Sequence, residues 1–574
     1  MLLAALFGVV SCTGEIGDPL SLSKGRASPP AGPGGAAAVS SRDLRPPRVT
    51  PPALEPPPVD TVLCPSTTRQ RARRLSLREY EGAVDELLKM SSGLASGFAS
   101  DPSVHGFDNQ AEALSISSGN FEEFAMAAQL AAEASNVSEL ATCVDGVAEH
   151  ECAASFVAEF GRQAYGRPLT GIEQGELLTL FAEGADFEGY ERGIRTVIEA
   201  ILVSPYFLYR AEVGKAQKRS CSRLDADEVA NAVAFALTGR RPDDELLARA
   251  ASDPLFRSPE VLREEASRIV ATPESRQHMA RFLRGWLGVP DMHAVNKIPA
   301  AFPSFTPGLK DDLDVEIDLF LDHVLREENG TLEALLGSPI TFASEPILSA
   351  IYANDYAPPL TPPDPPAPGA FIPIEFNPAL RKGVLSLGGW LAAHAPVHRS
   401  SPVDRGLAVR SRFFCQTLPP PPPGAVATSP GPGDNNGTTR QKFEEHAKNA
   451  ACRSCHQLMD PIGFGFEMMD ALGSFRSTEA GFPVDSSGEL TNTDVDGPFH
   501  GPAELADRLL ASRQVRDCFV VQMFRYIEGR DETEADRCEI SVLQQFFSTP
   551  ETSIGDLAAE IIAQPRFSER SVEP

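Results

Sequence analysis

Apolar residues along this chain recur mostly at three- and four-residue spacings, the period of helices with one buried face. Ser76-Leu77-Arg78-Glu79 has the form of a capping box, and Leu77, Tyr80, Val84, Leu87 and Leu88 continue it at helical spacing. FEEFAMAAQLAAEAS and FVAEFGRQAY follow, and the latter leads through Arg167-Pro168-Leu169 into a second box at Thr170 to Glu173. GIRTVIEAILVSPYFLYRAE is apolar on most faces, which predicts that it lies inside the body. Leu224 to Glu228 opens LDADEVANAVAFALTG, and ELLARAA follows Asp243 and Asp244, whose carboxylates suit a helix N-terminus. EVLREEASRIV, HMARFLRGWLGV and DVEIDLFLDHVL extend the series, with Trp286 and Trp390 expected in the core. Strand patterning is confined to FIPIEF and to Pro483–Leu490. The fold class is therefore mainly α: a multi-helical body with few short strands.

Proline sets the boundaries. APPLTPPDPPAPG ends near Gly369, and LPPPPPGAVATSPGPGDNNG runs from Leu418 to Gly437. A chain of 574 residues exceeds what one core usually holds. The expected division is an N-terminal helical domain at 63–215, a central one at 216–356, a short connecting domain at 370–417, a linker at 418–437 and a C-terminal domain at 438–574. Ahead of these, residues 13–62 are rich in Pro, Gly, Ala and Ser and read as a tether that cannot bury a core.

Composition is that of a globular protein, 42% hydrophobic and 23% charged, but the formal charge is −28. That surplus argues against nucleic acid and anionic membranes as partners, and for a basic protein partner. No later apolar run is long enough to span a bilayer. Leu2–Val10 is a short apolar run ending in Val9-Val10-Ser11-Cys12, which resembles a lipobox, although a basic n-region is missing. The expectation is a lipoprotein signal peptide at 1–12, lipidation of Cys12, and an exported, lipid-anchored protein of the cell envelope, periplasmic or at the cell surface; an ordinary secretion signal is the alternative.

The chemistry concentrates in HAKNAACRSCHQLMDPIGFGFEMMDALGSFR. Cys452-Arg453-Ser454-Cys455-His456 is the C-x-x-C-H pattern of c-type haem attachment. Two thiols one helical turn apart can each form a thioether with a haem vinyl group, and the adjacent histidine reaches the iron. A helix from Thr439 to about His456 is expected to deliver the group, followed by a turn at Asp460-Pro461-x-Gly463 whose proline carbonyl orients the histidine. The same cysteines could form a redox disulfide, or half of a zinc site completed by Cys415, His446 or His500. For the distal position Met523, in CFVVQMFRYIEGR, is the first candidate; Met459, Met468, Met469, His446 and an open site remain.

The ordered series EYEGAVDELL, GRQAYGRPLT, EAILVSPYFLYRAE, PDDELL, SPVDRG, FFCQTLPPPPP, the CRSCH segment and RYIEGR resembles the planctomycete-specific-domain multidomain family, also frequent in myxobacteria. That resemblance, from about Arg71 to the end, implies an exported cytochrome-c-like protein with a C-terminal cytochrome-c-like helical domain and at most one haem. It implies Cys452, Cys455 and His456 as haem ligands, with Asp460, Pro461, Gly463, Phe464, Glu467, Asp470 and Arg476 as their framework. The family has no established activity, so no catalytic residue transfers.

Among the ten cysteines, Cys143 with Cys152 and Cys518 with Cys538 are close enough in sequence to close short loops. Asp485, Glu489, Asp494 and Asp496 resemble a calcium loop without an EF-hand pattern, and a solvated turn explains them more simply. No Walker, dinucleotide or G-x-S-x-G motif occurs in suitable context. The functional expectation is a single covalent haem c serving electron transfer at the cell envelope, or acting as the haem module of an oxidoreductase. The competing expectation is a non-enzymatic, disulfide-stapled envelope scaffold or binding protein without haem, in which Cys452 and Cys455 pair with each other or with Cys415.

Overall fold

The computed structural model describes residues 71–143, 147–216, 221–353, 356–357, 369–418, 437–446 and 450–571. Cys12, Cys64, the signal and the tether lie outside these residues, as do the side chains of Cys221, His446 and Cys452. The architecture is mainly α, and the strands of the described residues form five sheets of two or three strands each. FIPIEF supplies the strand Ile372–Phe376, and 483–490 supplies Phe482–Pro483 and Ser487–Leu490.

Helix starts follow side-chain capping. Ser76 with Glu79, Thr170 with Glu173, and Asp225 with Glu228 each close reciprocal capping boxes, and Asp243 caps Asp244–Ser252. The run from Gly193 is buried along one face, with Pro205, Tyr206 and Ala211 exposed, so it lies inside the body only in part, and it is not one element. The helix Tyr190–Leu202 stops before Ser204, which caps the short helix Pro205–Leu208, and Tyr209–Glu212 continues as a strand. That strand pairs antiparallel with Arg71–Arg74, so the first 140 or so described residues close on themselves.

Two apolar cores result. The first runs from Leu75 to Leu208 and receives Phe235 from the next segment. The second is larger, spans Leu224 to Phe567, and takes in Phe107, Trp286 and Trp390. It includes residues on both sides of each proline-rich break, so the segments 216–356, 370–417 and 438–574 share a single interior. The strand Glu569–Ser571 returns to pair with Cys221–Arg223 at the start of that body.

Cys143 bonds Cys152 as expected. The pairing of Cys518 with Cys538 does not occur: Cys518 bonds Cys415, 103 residues away, and Cys538 is an exposed free thiol. Spacing misled because the partner is set by tertiary packing. The helix Arg513–Glu528 lies against the Val409–Phe413 turn, whose Arg412 carbonyl also accepts from Trp286 Nε1 at 2.7 Å. This bond also removes Cys415 as a partner for Cys452, Cys455 or a zinc ion.

Candidate functional site at the cysteine helix

Thr439–His446 and Ala450–Phe464 are helical in the region where a helix to about His456 was expected, and the helix continues past His456 to Phe464. Pro461 is in its last turn rather than in a loop. A helical proline disturbs the carbonyl four residues back; here that belongs to exposed Gln457, where water can satisfy it.

The cysteine helix is seated by glycines. A Cβ on Gly463 would collide with the Pro402 carbonyl, and one on Gly406 with that of Met459, so the helix lies backbone to backbone on Pro402–Ala408. Buried arginines and carboxylates hold the helix and the segment that leaves it. Arg405 is fully buried and donates to the carbonyls of Met469 at 2.9 Å, Asp470 at 2.5 Å, and Phe466 and Leu391 at 3.3 Å. Arg410, in the π-helical turn Val409–Phe413, donates from Nε to Leu458 O at 2.7 Å. Glu467 Oε2 accepts from Ser400 Oγ at 2.9 Å and Arg476 Nη2 at 2.7 Å. Asp470 Oδ1 accepts the amides of Leu472 and Ser474 at 2.8 and 2.9 Å.

Cys452, Cys455 and His456 occupy helix positions i, i+3 and i+4, one contiguous face. His456 Nδ1 lies 3.0 and 3.1 Å from the two carboxylate oxygens of Asp460, one turn on. Asp460 is buried, and its hydrogen bond raises the His456 pKa above the ordinary histidine value against the opposing effect of burial. The orienting group is therefore a carboxylate and not the Pro461 carbonyl expected from the sequence. A histidine with an aspartate at i+4 is legible on a helix. With Nδ1 held this way, Nε2 is the atom a metal would take.

His456 and Asp460 line a cleft of about 650 Å³, with Pro461 and Phe464 below them and Glu489 and Pro498 of the hairpin Ser487–Leu490/Gly497–His500 opposite. Arg440 and Arg453 also line it, and the Arg440 guanidinium sits 4.3 Å over the Phe464 ring. Patterning gave no sign of Arg440 and marked only the first strand of the hairpin wall, within 483–490. Cys455 is half-buried beside the cleft and not among its lining residues. Met523 is fully buried in the large core and does not line the cleft. Met459 is on the same helix face as His456, whereas a distal ligand must approach from the opposite side of a haem. Met468 and Met469 are buried in the core.

The acidic loop is structural. Asp494 accepts from Ser512 Oγ and from the Gln514 amide at the start of Arg513–Glu528, and Asp496 accepts from Thr493. No group of three or more metal-binding side chains converges among the described residues, and none of their helices is long and apolar enough to cross a membrane.

Five family models match in succession, each described as a protein of unknown function: DUF1587 at 73–135, DUF1595 at 152–212, DUF1592 at 224–353, DUF1588 at 381–479 and DUF1585 at 496–567. The DUF1588 match contains the buried arginines, both sides of the proline-rich stretch and the cysteine helix. No curated protein and no solved structure matches the chain. The ordered set of five domains places the chain in the planctomycete-type multidomain family of cytochrome-c-like domains of unknown function.

Proposed function

We propose that this is an exported c-type haem protein that transfers electrons at the cell envelope. The observation that carries the reading is the His456–Asp460 pair, set beside Cys452 and Cys455 on one helix face and bordering a cleft of about 650 Å³. The donor set fits the group: two cysteines at the required spacing, a histidine turned by a carboxylate, and a cleft within the range of cofactor sites. A haem bound there would supply one-electron exchange. Cys452 and Cys455 would hold it covalently and His456 would ligate it, with Asp460 fixing the ring and raising its basicity. Arg440 and Arg453 match the charge of propionate groups. The acidic surface, −28 overall, suits docking of a basic redox partner, and an N-terminal lipid on Cys12 would keep the protein at the membrane.

A second reading is favoured by the disulfides, which staple Cys143 to Cys152 and Cys415 to Cys518: an envelope scaffold or binding protein without haem. Cys455→Ala, produced with the c-type maturation machinery, separates the two. A haem-stained denaturing gel should show stain in the parent protein and its collapse in the variant. A parent protein without stain, losing only some stability on substitution, would support the scaffold.

A further inference from the structure

The Cys415–Cys518 disulfide joins the end of the π-helical turn Val409–Phe413 to the helix Arg513–Glu528. Its two ends differ. Cys415 is an exposed residue, whereas Cys518 is 4% exposed. Cys415 also holds a left-handed backbone, φ 51°, which a Cβ disfavours and which only surrounding restraints maintain. Thiolate attack on a disulfide is governed by access to the sulfur, and here access favours the Cys415 end.

The surroundings already suit the reduced pair. Cys518 Sγ lies 3.3 Å from Arg412 O, within reach of an S–H donor, and Gln522 Nε2 lies 3.4 Å from Cys415 Sγ, where its N–H can donate to a thiolate.

Gln416, the next residue, connects this bond to both walls of the cleft at His456. Its amide donates to Arg410 O at 3.0 Å, its Oε1 accepts from Arg410 Nη1 at 2.8 Å, and its Nε2 donates to Asn492 O at 2.9 Å. Arg410 in turn donates to Leu458 O of the cysteine helix at 2.7 Å and to Thr491 Oγ1 at 3.1 Å. Thr491 and Asn492 follow the strand Ser487–Leu490, whose Glu489 lines the cleft. One node therefore holds the helix wall and the hairpin wall together, and the disulfide fixes that node against the helix Arg513–Glu528.

We propose that Cys415–Cys518 is a thiol–disulfide exchange site whose reduction by a dithiol loosens the two walls of the cleft. One thiolate of the dithiol attacks Cys415 Sγ, the Cys415–Cys518 bond breaks, and Cys518 leaves as a thiolate. The second thiol of the dithiol then attacks the reductant sulfur of the mixed disulfide and releases Cys415. The dithiol is oxidised to its disulfide, and each protein thiolate takes up one proton that the dithiol gave to water. With the bond open, the left-handed backbone at Cys415 relaxes and Gln416 loses its fixed place. Haem takes part in neither step.

The test is hydrogen exchange of the folded full chain, read by mass spectrometry before and after dithiothreitol, with alkylation mapping of Cys415 and Cys518. Amides of 458–464 and 487–500 should exchange about tenfold faster after reduction, the protection that one or two hydrogen bonds supply, while the helix Ala226–Thr238 stays unchanged. A Cys415→Ser/Cys518→Ser variant should be as loose before dithiothreitol and gain nothing from it, which separates this bond from the other cysteines. Should that variant fail to fold, Gln416→Ala keeps the disulfide and should loosen 487–500 to the same extent. Cys518→Ser should take glutathione at Cys415, and Cys415→Ser should leave Cys518 unmodified. A disulfide that opens only on global unfolding, exchange in the two walls that is unchanged or rises equally everywhere, or glutathione on Cys518 in place of Cys415 would overturn the proposal.

Discussion

Buried arginines around the cysteine helix and beside the helix Ala226–Thr238 are held differently. Around the cysteine helix, Arg405, Arg410 and Arg381 give their terminal nitrogens to backbone carbonyls and side-chain acceptors; Arg381, for instance, holds Ser386 O at 2.8 Å and Gly473 O. Beside the helix Ala226–Thr238, Arg210 Nε and Nη2 are buried without a hydrogen bond, with Glu79 Oε1 3.9 Å from Nη2 and the Phe235 ring 4.6 Å from the guanidinium. A guanidinium bonded at both terminal nitrogens cross-links loops that have no ladder of their own, even where its Nε is left without a bond as in Arg405, whereas one with only a distant carboxylate carries a desolvation cost.

The largest effect should come from Arg405→Leu. It strips donors from the carbonyls of Met469 and Asp470 in a fully buried place, and about 3–5 kcal/mol of unfolding free energy should be lost in urea titrations. A loss below about 1 kcal/mol would erase the distinction between the regions. Next comes Glu316. It accepts from Tyr352 Oη at 2.7 Å and Thr341 Oγ1 at 3.1 Å, and the Arg381 charge offsets its burial only in part. Burial pushes its pKa up to about 7. The folded state then holds a proton that the unfolded chain releases near the ordinary glutamate value, so stability falls as pH rises from there to about 7. Glu316→Gln should flatten that window by an amount on the order of 3 kcal/mol at most. An unchanged pH profile would mean that Arg381 does compensate the carboxylate.

Gly463→Ala should cost about 1–3 kcal/mol, because its Cβ meets the Pro402 carbonyl and the helix must lift. Calorimetry would show it as a lowered Tm. Smallest of all should be Arg210→Met, within about 0.5 kcal/mol of the parent or slightly more stable. A loss as large as that of Arg405→Leu would show that Arg210 is also architectural.

Much of the frame was legible in the sequence because it is local. Capping boxes at Ser76 and Thr170 and the start at Leu224–Glu228 announced their helices, and Cys143 with Cys152 closed over nine residues. The remainder depends on contacts between distant segments. Cys415 reaches Cys518 only once the π turn and a distant helix pack together, and Arg405 finds carbonyls more than 60 residues away. The stop at Ser204 was hidden inside an apolar run, and Asp460 displaced Pro461 as the orienting group because it lies one turn below His456. The C-x-x-C-H pattern carries the proposed haem chemistry, while the cleft beside it is closed by a hairpin that patterning marked only as a strand.

The most direct test of the central claim is a pyridine haemochrome spectrum of the protein exported in a host with c-type maturation machinery, quantified against protein concentration. The account predicts a covalent c-type signal at about one haem per chain, as a single C-x-x-C-H motif allows. Folded, exported protein with no covalent haem would contradict it.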